Sequence, residues 1–294
     1  GDGRHYDDAG HFSLAGAQYK TALRWDAEGQ RWGIPSGLEP TTDILKPVLT
    51  GFDHQAWNEH FCLLLAKAAK IPSAESRVVD ICGNQVLVVS RYDRYEQDGR
   101  LTRVHQEDAC QALGIHPSAK YERDGGPGVK EVSSIIDASA TADADRERFY
   151  RALVLNVLIG GTDAHAKNYS FLWDRGPTMV LAPLYDINSL WPYTRPHGKD
   201  FDRQRIRTAM RMDSKYHIHQ MQLRNMLKTG AQLGYAKAKC LQILHDMLDS
   251  LPSAVDELAS QLISQGCPEE FADRLREPIQ EEILRCQSWL STAG

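Results

Sequence analysis

The stretch Gly161-Thr162-Asp163-Ala164-His165-Ala166-Lys167-Asn168 decides how this sequence is interpreted. It follows residues 144–160, where apolar side chains recur at helical spacing. Gly160-Gly161 is a normal stop for such a helix. Asp163 can accept a proton, and Asn168 can offer an amide oxygen to a hard cation. The sequence therefore predicts a loop of reactive polar groups directly after a buried helix.

The spacing of Asp163 and Asn168 is that of the base and the metal ligand in a protein-kinase catalytic loop. Asp163 would take or orient the proton of a substrate hydroxyl, and Asn168 would hold Mg²⁺. Lys167 could neutralise the transferring phosphoryl group, and His165 is a further predicted nucleotide contact. Taken alone the spacing is weak, because a helix C-cap accounts for the glycines equally well and both interpretations can hold together.

Two charged residues elsewhere supply the other parts that phosphoryl transfer needs. Asp186 follows a predicted strand at 179–181 and is either a second metal ligand or a turn aspartate. Lys46 ends another predicted strand, which Pro47 closes, and suits the lysine that contacts nucleotide phosphates. Glu59, on the predicted helix that follows, could pair with Lys46 or could be exposed.

Two backbone segments could complete a nucleotide site. Small residues dominate Ser13-Leu14-Ala15-Gly16-Ala17-Gln18, and the N–H groups of Ala15, Gly16, Ala17 and Gln18 could close over phosphates. The segment is not a Walker A motif and holds one glycine. Ser90 and Tyr92 leave the last predicted strand of the first hundred residues, where the linker of a two-lobed kinase pairs adenine through its backbone.

The order of predicted elements indicates an α+β, bilobal, protein-kinase-like fold. Residues 1–92 would form a β-rich N-lobe with one embedded helix, and residues 93–294 a helix-rich C-lobe. The predicted strands lie at 21–25, 31–34, 42–46, 77–80, 85–89 and 179–181, and the predicted helices begin or lie at 54–70, 105–114, 144–160, 236–251, 254–264 and 278–290.

Composition excludes several classes of protein. The chain has 294 residues, of which 42% are hydrophobic, and a net charge of −5, so no general basic field favours nucleic acid. No apolar run approaches about 18 residues and no signal-peptide core is present, so we expect no membrane span and a cytoplasmic location. The six cysteines form no C-x-x-C pair, which predicts reduced thiols, with Cys62 and Cys82 as small core residues.

Five ordered motifs together resemble the HipA family of bacterial toxin kinases, over nearly the whole chain from Phe12 to the C-terminal helices. Five motifs at compatible spacing are far stronger than any one of them. The motifs are Ser13-Leu14-Ala15-Gly16-Ala17-Gln18-Tyr19-Lys20-Thr21, residues 58–67 (NEHFCLLLAK), residues 106–114 (QEDACQALG), residues 120–128 (KYERDGGPG) and Thr162 to Asn168.

The resemblance implies a serine/threonine kinase that uses ATP and Mg²⁺. It assigns Asp163 as the base, Asn168 and Asp186 as metal ligands, and Lys46 as a phosphate contact. Ser90 and Tyr92 would flank adenine. Ser13 would be the autophosphorylated serine. Its phosphate, placed in the nucleotide-phosphate site, would repel ATP and silence the enzyme.

The resemblance also implies partners. Family members typically phosphorylate an aminoacyl-tRNA synthetase, often the glutamyl enzyme, and are restrained by a small DNA-binding antitoxin, so DNA would be contacted only indirectly. Full-length members usually carry an N-terminal subdomain before the phosphate loop, whereas about a dozen residues precede Ser13 here. We therefore expect either a fragment or a shorter variant whose missing part is a separate protein.

Two other functions are open at this point. The first is a catalytically silent corepressor that binds an antitoxin–DNA complex, against which the presence of Lys46, Asp163, Asn168 and Asp186 argues. The second is a kinase of small molecules or lipids, although no segment of the sequence marks a sugar or inositol pocket.

Overall fold

The computed structural model describes residues 19–36, 39–48, 51–173, 178–194 and 201–291. The described chain forms two compact units, the first drawn from residues 1–60 and 74–104 and the second from 61–73 and 105–294. The first is mostly antiparallel sheet and the second mostly helix. This confirms the predicted α+β class, while the lobe boundary at residues 92 and 93 stays a prediction.

A five-stranded antiparallel sheet forms the first unit. Its core is a cluster of the buried side chains Leu45, Val86 and Val88, against which Leu23, Trp32, Val79 and Ile81 pack. The sheet order is β2-β1-β3-β5-β4, and a separate hairpin pairs β6 with β7. The strands are β1 (Thr21–Asp26), β2 (Arg31–Gly33), β3 (Asp43–Lys46), β4 (Ser76–Ile81), β5 (Asn84–Ser90), β6 (Arg94–Gln97) and β7 (Arg100–Arg103).

The second unit combines helices with two small sheets. Its three-stranded sheet has the order β10-β9-β8, and β11 pairs with β12. None of the helices in the described ranges has the length and hydropathy needed to cross a bilayer. The strands are β8 (His105–Asp108), β9 (Ser170–Trp173), β10 (Met179–Leu181), β11 (Arg207–Met212) and β12 (Lys215–His217), and the helices are α1 (Gln55–Ala68), which begins in the first unit, α2 (Ala109–Ala112), α3 (Val129–Ile136), α4 (Ala142–Leu158), α5 (Leu223–Gln232), α6 (Lys237–Ser264) and α7 (Glu269–Ser291).

Helix α4 delivers the chain to the loop at 161–168. It is buried along most of its length, and it ends where the two predicted glycines stand. Gly160 has a φ of +64°, and a Cβ there would lie 2.7 Å from the Trp191 ring. A Cβ on Gly161 would lie 2.2 Å from Asn156 Oδ1. The predicted helix stop is confirmed, and its glycines also allow the close packing that places the loop.

Three local predictions were wrong. Residues 105–108 form strand β8, and only one turn of helix, α2, follows. The segments predicted as separate helices at 236–251 and 254–264 form one helix, α6, with Pro252 inside it. Cys82 is exposed in the turn between β4 and β5 with a φ of +54°, whereas Cys62 is buried as predicted.

Candidate functional site

A cavity in the second unit brings together the three residues predicted as base and metal ligands. Asp163, Asn168 and Asp186 all line it. The remaining lining residues are Asn156, Gly161, Ala164, Tyr169, Leu184, Tyr185, Ile187 and Asn188. The residues come from the end of α4 and the loop after it, from the two residues before β9, and from the segment after β10. Three sequence segments therefore meet at one concave surface.

The loop from Asp163 to Asn168 is folded on itself by hydrogen bonds to the Asp163 carbonyl oxygen. The Asn168 Nδ2 donates to that oxygen at 2.7 Å, and the His165 backbone N–H donates to it at 2.8 Å. The Asn168 backbone N–H donates to the His165 carbonyl at 2.9 Å and closes a 3₁₀ turn over Ala166–Asn168. The backbone of the loop is fixed, whereas the Asp163 side chain is 64% exposed.

The oxygens of this cavity suit a hard cation. Asn168 Nδ2 also donates to the Asp186 carbonyl at 3.4 Å, so its nitrogen is occupied and its amide oxygen is left for a ligand. Asn188 Oδ1 is buried and accepts no hydrogen bond from the described residues. In the described part of the chain no group of three or more His, Cys, Asp or Glu side chains could hold a metal. The oxygen ligands that this cavity offers to Mg²⁺ are therefore the Asp186 carboxylate and the amide oxygens of Asn168 and Asn188.

The Asp163 carboxylate has two aromatic neighbours. The Tyr121 hydroxyl donates to Asp163 Oδ1 at 2.5 Å. His165 Nε2 lies 3.8 Å from the same oxygen, and the His165 side chain is 5% exposed. Burial lowers the pKa of His165, so the imidazole is neutral near pH 7. The predicted nucleotide contact His165 thus lies inside the loop, packed beside the candidate base.

Lys167 is paired with an aspartate that the sequence analysis did not single out. Its Nζ lies 2.6 Å from Asp108 Oδ2, and the two side chains are 14% and 8% exposed. Asp108 Oδ1 accepts from the Gln111 backbone N–H at 3.0 Å and so caps α2. One carboxylate therefore joins the start of α2 to the candidate catalytic loop, and the role of Lys167 on a transferring phosphoryl group stays a prediction.

Tyr185 connects the loop to the segment that carries Asp186. Its hydroxyl donates to the Lys167 carbonyl at 2.7 Å and lies 2.5 Å from the Ser170 hydroxyl. Burial raises its pKa, so it remains a protonated donor. Asp186 follows with a φ of +54°, a conformation that costs a non-glycine residue energy and is frequent at functional sites.

The first unit holds the remaining predicted cation. Lys46, at the end of β3, lies 2.6 Å from Glu59 Oε1 on α1, with exposures of 5% and 1%. The alternative of an exposed Glu59 is wrong. A buried lysine paired with a helix glutamate is the arrangement that a protein kinase uses to aim its lysine at nucleotide phosphates.

Of the two segments predicted to bind nucleotide through their backbone, the structure describes residues 90–92 and does not describe residues 13–18. The Ser90 N–H donates to the Glu75 carbonyl at 2.8 Å, and the Arg91 N–H donates to the Thr42 carbonyl at 2.8 Å. Tyr92 is half-buried in the turn that follows. The adenine-binding roles of Ser90 and Tyr92 stay predictions. The predicted phosphate loop, with Ser13, Ala15, Gly16, Ala17 and Gln18, lies outside the described residues.

Four residues of the site were not predicted from the sequence to have a role there: Asp108, Tyr121, Tyr185 and Asn188. Asp108 and Tyr121 lie within the two motifs at 106–114 and 120–128, so the signal was present without an assigned role. Tyr185 and Asn188 flank Asp186, and proximity to that aspartate was the signal that could have found them.

Solved structures place this fold in a known class. A chain of the solved complex of the Shewanella oneidensis MR-1 toxin–antitoxin proteins HipA and HipB with operator DNA matches 98% of this chain and 68% of its own length, with a TM-score of 0.82 and 24% identity. The Helicobacter pylori proinflammatory kinase CtkA matches 96% of this chain and 93% of its own, with a TM-score of 0.63 and 13% identity. The fold is therefore shared with HipA and with a bacterial kinase.

Sequence relatives narrow the class to a family. The family model for the HipA-like C-terminal domain matches residues 12–255, and the chain belongs to this family. A Sinorhizobium fredii protein named "Putative kinase Y4mE" is 35% identical over 268 residues, which cover 89% of this chain. The serine/threonine-protein kinase toxin HipA of Shewanella oneidensis is 27% identical over 298 residues, covering 97% of this chain. The matches span 61% and 65% of the lengths of these two curated relatives.

Proposed function

We propose that this chain is an ATP-dependent serine/threonine protein kinase. The observation that carries the proposal is the cavity where Asp163, Asn168 and Asp186 meet in the order and spacing of a kinase base and its metal ligands. The buried pair of Lys46 and Glu59 supports the proposal independently, since a lone lysine on a strand is normally solvated.

The proposed roles follow from the chemistry of each group. Asp163 is the exposed carboxylate of the cavity, so it accepts the proton of the substrate hydroxyl. Asn168, Asp186 and Asn188 would hold Mg²⁺, which when bound neutralises charge on the phosphate oxygens. Lys46 contacts ATP phosphates, with Glu59 fixing its ammonium group. Ser90 and Tyr92 serve adenine, and residues 13–18 serve the phosphates.

The relatives support a more specific proposal. The named function of the HipA relative and the HipA–HipB–operator DNA complex favour a toxin of a toxin–antitoxin system with a DNA-binding antitoxin as partner. We propose a cytoplasmic toxin that phosphorylates an aminoacyl-tRNA synthetase, the glutamyl enzyme first among candidates, and is silenced when Ser13 is phosphorylated.

Transfer of labelled phosphate from ATP-Mg²⁺ to a panel of aminoacyl-tRNA synthetases tests the proposal. The unphosphorylated wild-type chain should label one of them, and Asp163→Asn should reduce the rate by about 10²–10⁴-fold, because the substitution keeps the shape of the side chain and removes the general base. Peptide mass spectrometry of the same reactions should find phosphate on Ser13 in the wild type and none in Ser13→Ala.

Asp249→Asn is the matched control, because Asp249 is an exposed aspartate on α6 outside the cavity. It should keep the wild-type rate. A wild-type chain that hydrolyses no ATP and labels no protein would instead support the silent corepressor and would end the kinase proposal.

A further inference from the structure

Tyr121 lies in the 120–128 motif, to which the proposed function assigns no chemistry. Its hydroxyl donates to Asp163 Oδ1 at 2.5 Å across 42 residues of sequence. A hydrogen bond from a neutral hydroxyl to a carboxylate is among the stronger protein hydrogen bonds. The candidate base is therefore held by a side chain from a different part of the second unit.

No other side chain in the described residues donates a hydrogen bond to that carboxylate. His165 Nε2 is 3.8 Å from Asp163 Oδ1, which is too long for a hydrogen bond. The neutral imidazole packs instead edge-on against the Tyr121 ring, with 5.0 Å between ring centroids. Asp163 Oδ2 receives no hydrogen bond from any described residue.

The phenol itself is firmly placed. Lys120 Nζ and the Arg123 guanidinium each lie 5.1 Å from the centroid of the Tyr121 ring. The Tyr121 carbonyl accepts from the Gly126 N–H at 2.9 Å, and the Lys120 carbonyl accepts from the Ala166 N–H at 3.3 Å. Burial, and then the contact with Asp163, raise the pKa of Tyr121, so the hydroxyl remains a donor over the physiological pH range.

We propose that Tyr121 is the positioning residue for the catalytic base. Its hydroxyl fixes Asp163 Oδ1 and so turns Oδ2 towards the substrate hydroxyl. In the transfer step the substrate oxygen forms a bond to the γ-phosphorus, the bond from that phosphorus to the ADP oxygen breaks, and the hydroxyl proton passes to Asp163 Oδ2. The role rests on the proposed kinase function.

The test compares two Tyr121 variants with the wild type in steady-state transfer to the synthetase that the wild type labels. Tyr121→Phe should lower kcat by about tenfold or more, the scale of a lost hydrogen bond to a charged group, with the KM for ATP within about twofold. Tyr121→Leu lacks the hydroxyl and the ring, so it should lower kcat at least as far as Tyr121→Phe does.

Tyr235→Phe is the control, because it removes a phenol of the same unit that bonds the Asp143 carbonyl outside the cavity. It should leave kcat unchanged. Wild-type kcat in Tyr121→Phe, or a loss confined to a raised KM for ATP, would overturn the positioning role while the kinase proposal stands. A wild type without transfer would instead overturn the proposed function and, with it, this role.

Discussion

At the scale of single residues, the site divides into groups that spacing predicts and groups that only folding brings together. Asp163 and Asn168 lie five positions apart, so a local motif carries both. Tyr121 reaches Asp163 across 42 residues, and Asp108 reaches Lys167 across 59. Such long-range pairs cannot be predicted from a single sequence, because neither the donor nor the acceptor differs from an ordinary polar residue in its local sequence.

The Asp108–Lys167 pair gives a prediction about stability. Asp108→Asn keeps an amide oxygen that can cap α2 but removes the charge opposite a lysine that is 14% exposed. Leaving one charge of a buried pair without its partner costs about 3 kcal/mol or more of the free energy of unfolding. Urea denaturation with unchanged m-values should show this loss.

Removing the other charge as well provides the control for that measurement. In Asp108→Asn with Lys167→Met no charge is left unpaired, so part of the lost stability should return. A double variant as unstable as the sum of the single variants would mean that the two charges do not interact.

At the scale of elements, tertiary pairing overrode the local pattern in the segment 105–114. Residues 105–114 were predicted as the start of a helix, and they contain a capping box at Asp108 and Gln111. In the structure His105–Asp108 instead pairs with Ser170–Trp173 as a strand. The hairpins at 94–103 and 207–217 went unpredicted. Strands β6, β7 and β12 are polar and only partly buried, and β11 buries Thr208, Ala209 and Met210 in succession, so none of the four shows a clear apolar alternation. Helix α4 was predicted correctly, because its residues from Phe149 to Leu158 are mostly apolar and all of them are buried.

The continuity of α6 through Pro252 has a specific cause and gives a prediction. Proline has no N–H to donate to the Leu248 carbonyl, and the Gln287 side chain on α7 donates to that carbonyl at 2.8 Å instead. Gln287→Ala should lower the free energy of unfolding by about 1–2 kcal/mol, since a partly buried carbonyl loses its donor. Thermal and urea unfolding measure the loss.

A second substitution distinguishes this cause from general loss of packing. In the Pro252→Ala background the alanine N–H can donate to Leu248, so Gln287→Ala should cost clearly less there than in the wild type. Equal costs in both backgrounds would show that Gln287 does not replace the missing helical hydrogen bond.

At the scale of the whole molecule, the fold class followed from the order of a sheet-rich and a helix-rich part. The strands β1 to β5 were expected in the first part of the chain and helices in the second, but α6 was expected as two shorter helices and α7 only from residue 278. The exposure of Cys82 was not expected, because a cysteine next to a strand resembles a core residue. In the structure Cys82 lies in a turn and is exposed. Exposure in a turn depends on the register of β4 against β5, which sequence alone does not fix.

The six cysteines give a prediction that reports on the folded molecule as a whole. None is in a disulfide; Cys82 is exposed and the other five are buried, and burial raises the pKa of Cys267 and of Cys286 to about 12. Because the thiolate is the reactive form, a disulfide reagent at pH 8 should modify one thiol quickly in the native chain and six in denaturant. Cys82→Ser should abolish the fast reaction and leave five slow thiols, whose rates follow opening of the structure. A fast reaction that survives in Cys82→Ser would show that the folded chain exposes a second thiol, and the slow rates would then identify which part of the molecule opens first.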